Sequence, residues 1–158
     1  GDKLLDRLTR DWKAPERLET ITGKLNAPIE KLGQLISTAA KKAGAEIVMS
    51  GSSSVEAYGT MAREELFEIY CDVNPVKIIE NVGKKADLSS RFPNFRIIRT
   101  DSPIVHFDKR LKSRVPIASP VQCYLELMQG DKREKETALQ VKNFILREIE
   151  AGGGNFQR

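Results

Sequence analysis

One segment, residues 47–73, constrains the fold more than any other part of the sequence. It opens with the apolar residues Ile47–Met49, turns at Ser50-Gly51-Ser52, and closes with residues 65–73, in which apolar and polar side chains alternate. Alternation with a period of two is typical of a β-strand, because successive side chains point to opposite faces of a sheet. The segment therefore predicts a strand, a glycine-serine turn, a short helix over residues 52–58 and a second strand.

The second predicted strand carries Tyr70 and Asp72 on its polar face, which we expect to border a cleft. The opposite face is apolar throughout and predicts burial against helices: Phe67, Ile69, Cys71 and Val73. This arrangement resembles a degenerate nucleotidyltransferase core, in which a Gly-Ser turn precedes a strand whose two carboxylates place magnesium on a triphosphate. Asp72 stands where the second carboxylate would be, and Tyr70 replaces the first. Because a neutral phenol does not hold a divalent cation against water, the resemblance implies a scaffold without catalysis.

A second block, residues 118–141, contains a capped helix, a turn with a basic residue and a further helix. Together with residues 51–54 and 69–72, it resembles the C-terminal region of the AbiEi family, the antitoxins of type IV abortive-infection systems. The residues that fit the family pattern are Ala118, Ser119, Pro120, Gln122, Tyr124, Leu125, Glu126, Leu127 and Arg133.

The resemblance implies a non-catalytic antitoxin and transcriptional-repressor module that supports operator binding or neutralises a toxin. Its implied partners are operator DNA and a nucleotidyltransferase-type toxin encoded nearby. Members of the family commonly carry an N-terminal winged helix-turn-helix, so we expect this chain to be the effector half. Two alternatives stay open: a protein-interaction domain without DNA contact, and an active nucleotidyltransferase in which Asp72 works with a second carboxylate such as Glu68 or Asp101.

The periodicity of apolar residues predicts an α+β fold, with a small mixed sheet of four or five strands flanked by about five helices. Strands are predicted at residues 19–25, 46–49, 65–73, 95–99 and 104–107. Helices are predicted at residues 3–13, 29–43, 75–85, 120–129 and 131–151. Helix caps are predicted at Gly44, Asn74, Ser119 and Asp131.

The chain length of 158 residues suits one domain. We expect that domain to cover residues 1–151, and the glycine run that follows predicts a disordered tail over residues 152–158. No apolar run approaches the roughly 20 residues that span a bilayer, and no signal pattern opens the sequence, which predicts a cytoplasmic protein without membrane contact. Cys71 and Cys123 have no partner at a metal-ligand spacing, so neither a metal nor another cofactor is predicted.

Four cations crowd into the predicted loop 109–114, namely Lys109, Arg110, Lys112 and Arg114. Such a cluster is typical either of a solvated loop or of a surface that neutralises nucleic-acid phosphates without reading sequence. We take it as the first candidate binding surface. No aromatic residues lie between the cations, which argues against base stacking on a single strand.

Gly51, Ser52 and Asp72 form the second candidate site, a vestigial nucleotide pocket. A glycine-serine turn offers backbone amides to an anion, and a carboxylate at a strand end offers a charge to a cation. The simpler interpretation, which we favour, is that the serines cap the short helix and that Asp72 caps the helix beginning after Asn74.

Overall fold

The computed structural model describes residues 2–60 and 66–156. Six strands are present in this part of the chain: β1 (Thr20–Gly23), β2 (Ile47–Met49), β3 (Phe67–Cys71), β4 (Phe95–Arg99), β5 (Arg110–Lys112) and β6 (Val115–Ile117). The α-helices are α1 (Asp2–Asp11), α2 (Ile29–Ala43), α3 (Pro75–Ile79), α4 (Pro120–Met128) and α5 (Lys132–Phe156). Two 3₁₀ helices span Ser52–Ala57 and Pro103–His106. Residue 65, with which the second predicted strand began, lies outside the described residues.

The strands form one mixed sheet in the order β1-β4-β3-β2-β6-β5. The pairs β1–β4, β2–β3 and β5–β6 are antiparallel, whereas β3–β4 and β2–β6 are parallel. The prediction of an α+β fold with a mixed sheet flanked by helices is confirmed. Likeness to a nucleotidyltransferase stays a prediction.

Three buried clusters hold the sheet and helices together. The first packs α2 and α3 against the central strands, and its largest fully buried side chains are Leu32, Ile36, Ile69, Ile78, Phe95 and Ile97. The second joins α1, α4 and α5 to the first 3₁₀ helix, with Val55, Leu127, Ala138 and Val141 at its centre. Removing these apolar surfaces from water supplies the main driving force for folding.

The third cluster is small, and its composition shows that two predictions are wrong. It contains Val48, Tyr70, Ile98 and Val105, and Tyr70 is only 3% exposed. Val105 belongs to the second 3₁₀ helix, so residues 104–107, predicted as a strand, instead cover this face of the sheet. Tyr70 therefore does not border a cleft.

The helix caps follow the sequence closely. Gly44 ends α2 in the left-handed conformation at φ 68°, and the side chain of Asn74 accepts a hydrogen bond from the Val76 amide. Ser119 accepts from the Gln122 amide at 3.0 Å, and Asp131 accepts from the Glu134 amide at 2.8 Å. All four predicted caps are confirmed.

Two helix ends differ from the prediction by more than two residues. The α3 helix stops at Ile79 instead of reaching residue 85, and α5 continues through the glycine run to Phe156, past its expected end at residue 151. Residues 157 and 158 of the predicted tail lie outside the described residues, and the domain boundary at residue 151 stays a prediction. In the described part of the chain, no helix is long and apolar enough to cross a membrane.

Candidate functional site

The turn after β2 is occupied by a carboxylate of the protein itself. Glu126, on α4, accepts hydrogen bonds from the Gly51 amide at 2.7 Å and from the Ser52 amide at 3.4 Å. The side-chain amide of Gln122 donates to the same carboxylate at 3.1 Å. We call these four residues, Gly51, Ser52, Gln122 and Glu126, the turn cluster. Three donors thus converge on one partly buried carboxylate.

Local hydrogen bonds fix the turn against α4. The Ser54 hydroxyl donates to the Ser50 carbonyl at 2.7 Å and accepts from the Ala118 amide at 3.1 Å. Ala118 directly precedes the Ser119 cap of α4, so the turn and the first residues of α4 are held together. Glu126, two turns further along α4, then lies over the backbone of Gly51.

A glycine is required at position 51 because α4 leaves no room for a side chain there, and not because of the backbone conformation. Its φ of −58° is available to any residue. A Cβ atom at Gly51 would lie 2.6 Å from a Glu126 carboxylate oxygen and 2.9 Å from the Cys123 Cα atom. The close approach of α4 to the turn therefore depends on a glycine at this position.

The environment of Glu126 opposes its ionisation. Burial raises the pKa of this carboxyl group, and the hydrogen bonds from Gly51, Gln122 and Ser52 lower it by less. Loss of hydration disfavours the charged form, whereas donors favour it.

This raised pKa predicts a specific pH dependence of stability. A carboxyl group whose pKa is higher in the folded state binds its proton more tightly there, so folding stability falls as pH rises from about 4 through the folded-state pKa. We expect the free energy of unfolding of Glu126→Gln, minus that of the wild type, to increase over this range and then level off. Urea denaturation across the acidic and neutral range measures both values.

Taking the difference between Glu126→Gln and the wild type removes the contribution of the other carboxyl groups to the pH dependence. Hydrogen bonds from Arg99 and Lys109 lower the pKa values of Glu19 and Glu46, which act in the opposite direction but equally in both proteins. Parallel pH profiles for the wild type and Glu126→Gln would contradict the prediction.

Glu68 lies beside the turn cluster on β3 and is also paired within the protein. Its carboxylate is 3.1 Å from the Arg96 guanidinium and 3.5 Å from that of Arg17, and its side chain is 13% exposed. The Glu68 amide donates to the Ser53 hydroxyl at 3.0 Å, which ties β3 to the first 3₁₀ helix. Burial raises the pKa of Tyr70, so its phenol stays neutral at physiological pH.

The structure brings Gly51 and Ser52 together but places Asp72 elsewhere. In the antiparallel pair β2–β3, Ile47 faces Cys71 and Met49 faces Ile69. Asp72 therefore lies at the opposite end of β3 from the turn, four positions beyond Glu68, which is about 13 Å along a strand. The three residues do not form one pocket.

Asp72 instead closes the far end of the strand pair. Its carboxylate accepts from the Glu46 amide at 2.9 Å, and its own amide donates to the Glu46 carbonyl at 3.3 Å. The favoured interpretation of Asp72 as a helix cap is also wrong, because the Asn74 side chain caps α3. Asp101, the other candidate carboxylate, is 75% exposed and lies 3.5 Å from the Arg99 guanidinium.

The basic segment 109–114 is not a loop, because it contains β5 and the turn of the β-hairpin that β5 forms with β6. Ser113 and Arg114 form its two-residue turn with φ values of 52° and 67°. Lys109 pairs with Glu46 at 2.5 Å, and Arg110 pairs with Glu148 at 2.5 Å and with Asp108 at 3.2 Å. The hydrogen bond that Arg110 donates to the Glu148 carboxylate raises the pKa of Arg110.

Two of the four candidate cations are thus compensated. Within residues 2–60 and 66–156, Lys112 and Arg114 form no ion pair, whereas Lys109 and Arg110 do. The unpaired positive charge of the predicted surface is therefore concentrated at the tip of the hairpin.

A cavity of about 250 Å³ lies next to this tip. Apolar side chains from α2, the sheet and the first 3₁₀ helix form much of its lining, including Ile29, Met49, Val55, Phe67, Val115 and Ile117. Lys112 and Ser113 also line it, as do the three serines of the first 3₁₀ helix. Sequence patterns do not reveal this cavity, because its walls come from distant segments.

No family model, curated protein or solved structure matches the chain. Among the described residues, no three His, Cys, Asp or Glu side chains are grouped as a metal site. A function is accordingly inferred from the geometry of the turn cluster, of Glu68 and of the hairpin.

Proposed function

We propose that this chain is a non-catalytic antitoxin and transcriptional-repressor module of a type IV toxin–antitoxin system, built on a nucleotidyltransferase-like core. The observation that carries the proposal is the pairing of Glu126 with the amides of Gly51 and Ser52. Backbone amides at such a turn are suited to a phosphate. A carboxyl group of the protein that already occupies these donors blocks the approach of a triphosphate.

The pairing of Glu68 supports the same proposal. Two-metal phosphoryl transfer needs carboxylates that face the metal ions, which lie about 4 Å apart. Arg96 and Arg17 both contact the Glu68 carboxylate and compensate its charge. Tyr70, at the position of a family carboxylate, is buried and neutral.

The geometry disfavours an active nucleotidyltransferase that uses Asp72. A separation of about 13 Å along β3 between Asp72 and Glu68 exceeds what a pair of bridged magnesium ions spans. Asp101 faces Arg99 and is not part of the turn cluster. The scaffold is therefore better suited to binding a macromolecule than to phosphoryl transfer.

The charge distribution limits the role of this module in operator binding. With Lys109 and Arg110 held by acidic residues, phosphate contacts fall to Lys112 and Arg114. Two phosphate contacts give a slope of about −2 in a plot of log affinity against log salt concentration. Such a contribution assists a separate DNA-binding domain and does not replace it.

The test combines growth rescue with an assay for nucleotide transfer. Cells expressing the nucleotidyltransferase of the same operon are expected to regain growth when this chain is co-expressed. The purified chain is expected to transfer no nucleotide from nucleoside triphosphates in the presence of Mg²⁺, and Glu68→Gln is expected to leave the rescue unchanged. Rescue that fails contradicts the antitoxin role. Nucleotide transfer that is abolished by Glu68→Gln or Asp72→Ala would show an enzyme.

A further inference from the structure

The loop between α3 and β4, residues 80–94, is held at the end of β1 by hydrogen bonds. The backbones of Lys24 and Asp87 exchange two hydrogen bonds, each of 2.8 Å. The side chain of Asn94 donates to the Leu25 carbonyl and accepts from the Leu25 amide, both at 2.9 Å. The loop is therefore a built part of the fold, and its exposed side chains project from a defined backbone.

This loop and the end of β1 carry uncompensated positive charge. Four exposed cations lie there, namely Lys24, Lys84, Lys85 and Arg91. Among the residues that the structure describes, none of the four forms an ion pair. The acidic residues of the loop are Glu80 and Asp87. The cations outnumber these carboxylates, so the loop attracts anions.

The contacts of the loop bring three of the cations together. Hydrogen bonds from Ser89 lower the pKa of Asp87, and the charges of Lys24 and Lys85 lower it further, so both cations lie near this carboxylate. The ammonium of Lys84 lies 3.4 Å from the Asn26 carbonyl, two residues beyond Lys24. These cations therefore form one cluster and are not scattered over the surface.

An exposed aromatic ring belongs to the same loop. Phe92 directly follows Arg91 and is 78% exposed, more than any other large apolar side chain in the described part of the chain. Its amide donates to the Ser90 hydroxyl at 3.1 Å, which fixes the backbone that carries the ring. Cations beside an exposed ring are typical of proteins that bind single-stranded nucleic acid, because the cations neutralise phosphates and the ring stacks on a base.

From these features we propose that Lys24, Lys84, Lys85, Arg91 and Phe92 form a binding surface for an unpaired strand of nucleic acid. The four cations contact its phosphates, and Phe92 stacks on one of its bases. We call these five residues the loop surface. Because β1 and β5 are the two outer strands of the sheet, the loop surface lies at the opposite edge from Lys112. It is a second site and does not depend on the proposed antitoxin function.

The exposed ring favours this occupant over two other polyanions. A nucleic-acid duplex presents its phosphates to the cations, but its paired and stacked bases leave Phe92 nothing to stack on. An anionic membrane binds in proportion to the apolar area that enters it. Leu88, the other exposed apolar side chain of the loop, packs on β1, since a Cβ atom at Gly23 would lie 2.8 Å from it. A single ring inserts little area into a membrane, whereas stacking on a base needs only one ring.

The experiment measures binding of the full chain to labelled oligouridylate and oligothymidylate of about 12 nucleotides by fluorescence anisotropy. The two probes distinguish RNA from single-stranded DNA as the source of the strand. With three or four phosphate contacts, a plot of log affinity against log salt concentration is expected to have a slope of about −2 to −3. A duplex of the same length and vesicles containing phosphatidylserine are titrated in parallel.

Substitutions at Phe92 test the stacking. Phe92→Ala is expected to weaken binding by at least about fivefold and to leave the salt slope unchanged. Phe92→Leu is expected to weaken binding as much, because leucine keeps an apolar surface but cannot stack, whereas Phe92→Trp is expected to keep the affinity. The double variant Lys84→Ala/Arg91→Ala is expected to reduce the magnitude of the slope by about 1.4, which corresponds to two phosphate contacts.

Two control variants match these changes elsewhere on the surface. Phe107→Ala removes a ring that is 71% exposed beside the second 3₁₀ helix. Lys41→Ala/Lys42→Ala removes two exposed charges in the last turn of α2. Each is expected to change the affinity by less than about twofold, because salt screens charges that do not touch the strand. Circular dichroism and thermal melting identify variants that do not fold.

Each outcome decides the proposal. Weaker binding by Phe92→Ala, Phe92→Leu and the charge variant, with unchanged controls, supports the loop surface. Wild-type affinity in Phe92→Leu, or equal losses in the controls, overturns it. Tighter binding to the duplex or to the vesicles than to either single strand overturns it in favour of that partner, and so does no binding of a single strand at about 50 mM salt. Growth rescue tests the antitoxin function separately from all of these results.

Discussion

Glu126→Ala is expected to lower the free energy of unfolding by about 3 kcal/mol. The substitution leaves the Gly51 amide, the Ser52 amide and the Gln122 side chain without their shared acceptor. Hydrogen bonds to a charged group contribute roughly 1.5–3 kcal/mol each, and the unfavourable burial of the carboxylate offsets part of their sum. Urea denaturation followed by circular dichroism at neutral pH measures the change.

Two control variants distinguish the loss of the hydrogen bonds in the turn cluster from the general effect of removing a charge. Glu126→Gln keeps a carbonyl oxygen for Gly51 and is expected to cost about 1 kcal/mol. Glu136→Ala removes an exposed glutamate of α5 and is expected to change stability by less than about 0.5 kcal/mol. Equal losses for Glu126→Ala and Glu136→Ala would show that the carboxylate does not hold the turn.

Gly51→Ala is expected to destabilise the protein by about 2–3 kcal/mol. The added methyl group meets the Glu126 carboxylate at 2.6 Å and the backbone of Cys123 at 2.9 Å, so α4 has to move away from the turn. Because the φ of Gly51 is ordinary, the cost comes from lost space and lost hydrogen bonds and not from backbone strain. Thermal and urea denaturation both report it.

Gly83→Ala is the matched control for this substitution. A Cβ atom at Gly83 meets nothing within 4 Å, and its φ is not in the left-handed region. We expect no loss, or a gain of about 0.4–1 kcal/mol from the restricted unfolded chain. The cost of Gly51→Ala should shrink when it is combined with Glu126→Ala, since one of the two clashes is then gone. Similar effects at Gly51 and Gly83 would contradict the steric explanation.

Local patterns were sufficient for the fold class and for most element ends. Alternation identified β3, and side-chain chemistry identified the caps at Asn74, Ser119 and Asp131. The β-branched residues at 104–107 suggested a strand, but Pro103 starts a 3₁₀ helix there and the sheet covers Val105. The strand β5 was missed because its charged residues have low strand propensity, and pairing with β6 overrides that propensity.

The candidate site was predictable only in part, because its residues meet through tertiary contacts. Turn chemistry alone predicts a role for Gly51 and Ser52, whereas for Glu126 the sequence offers only its place in a family-like motif. The local sequence hints at Glu126 in one way: it is an acidic residue on a helix whose side chains are mostly buried. The predicted proximity of Asp72 to the turn is wrong because the strand register places them at opposite ends of the β2–β3 pair, and a strand register has no signature in the sequence.

The hydrogen bond between Gly51 and Glu126 joins residues 75 positions apart. During translation the turn after β2 therefore leaves the ribosome long before its acceptor has been synthesised. The parallel neighbour of β2, strand β6, also comes late, since Met49 pairs with Ile117. The nascent first half lacks both the acceptor of the Gly51 amide and the strand that pairs with the edge of β2, so we expect truncated chains that end before β6 to be substrates for chaperones and proteases.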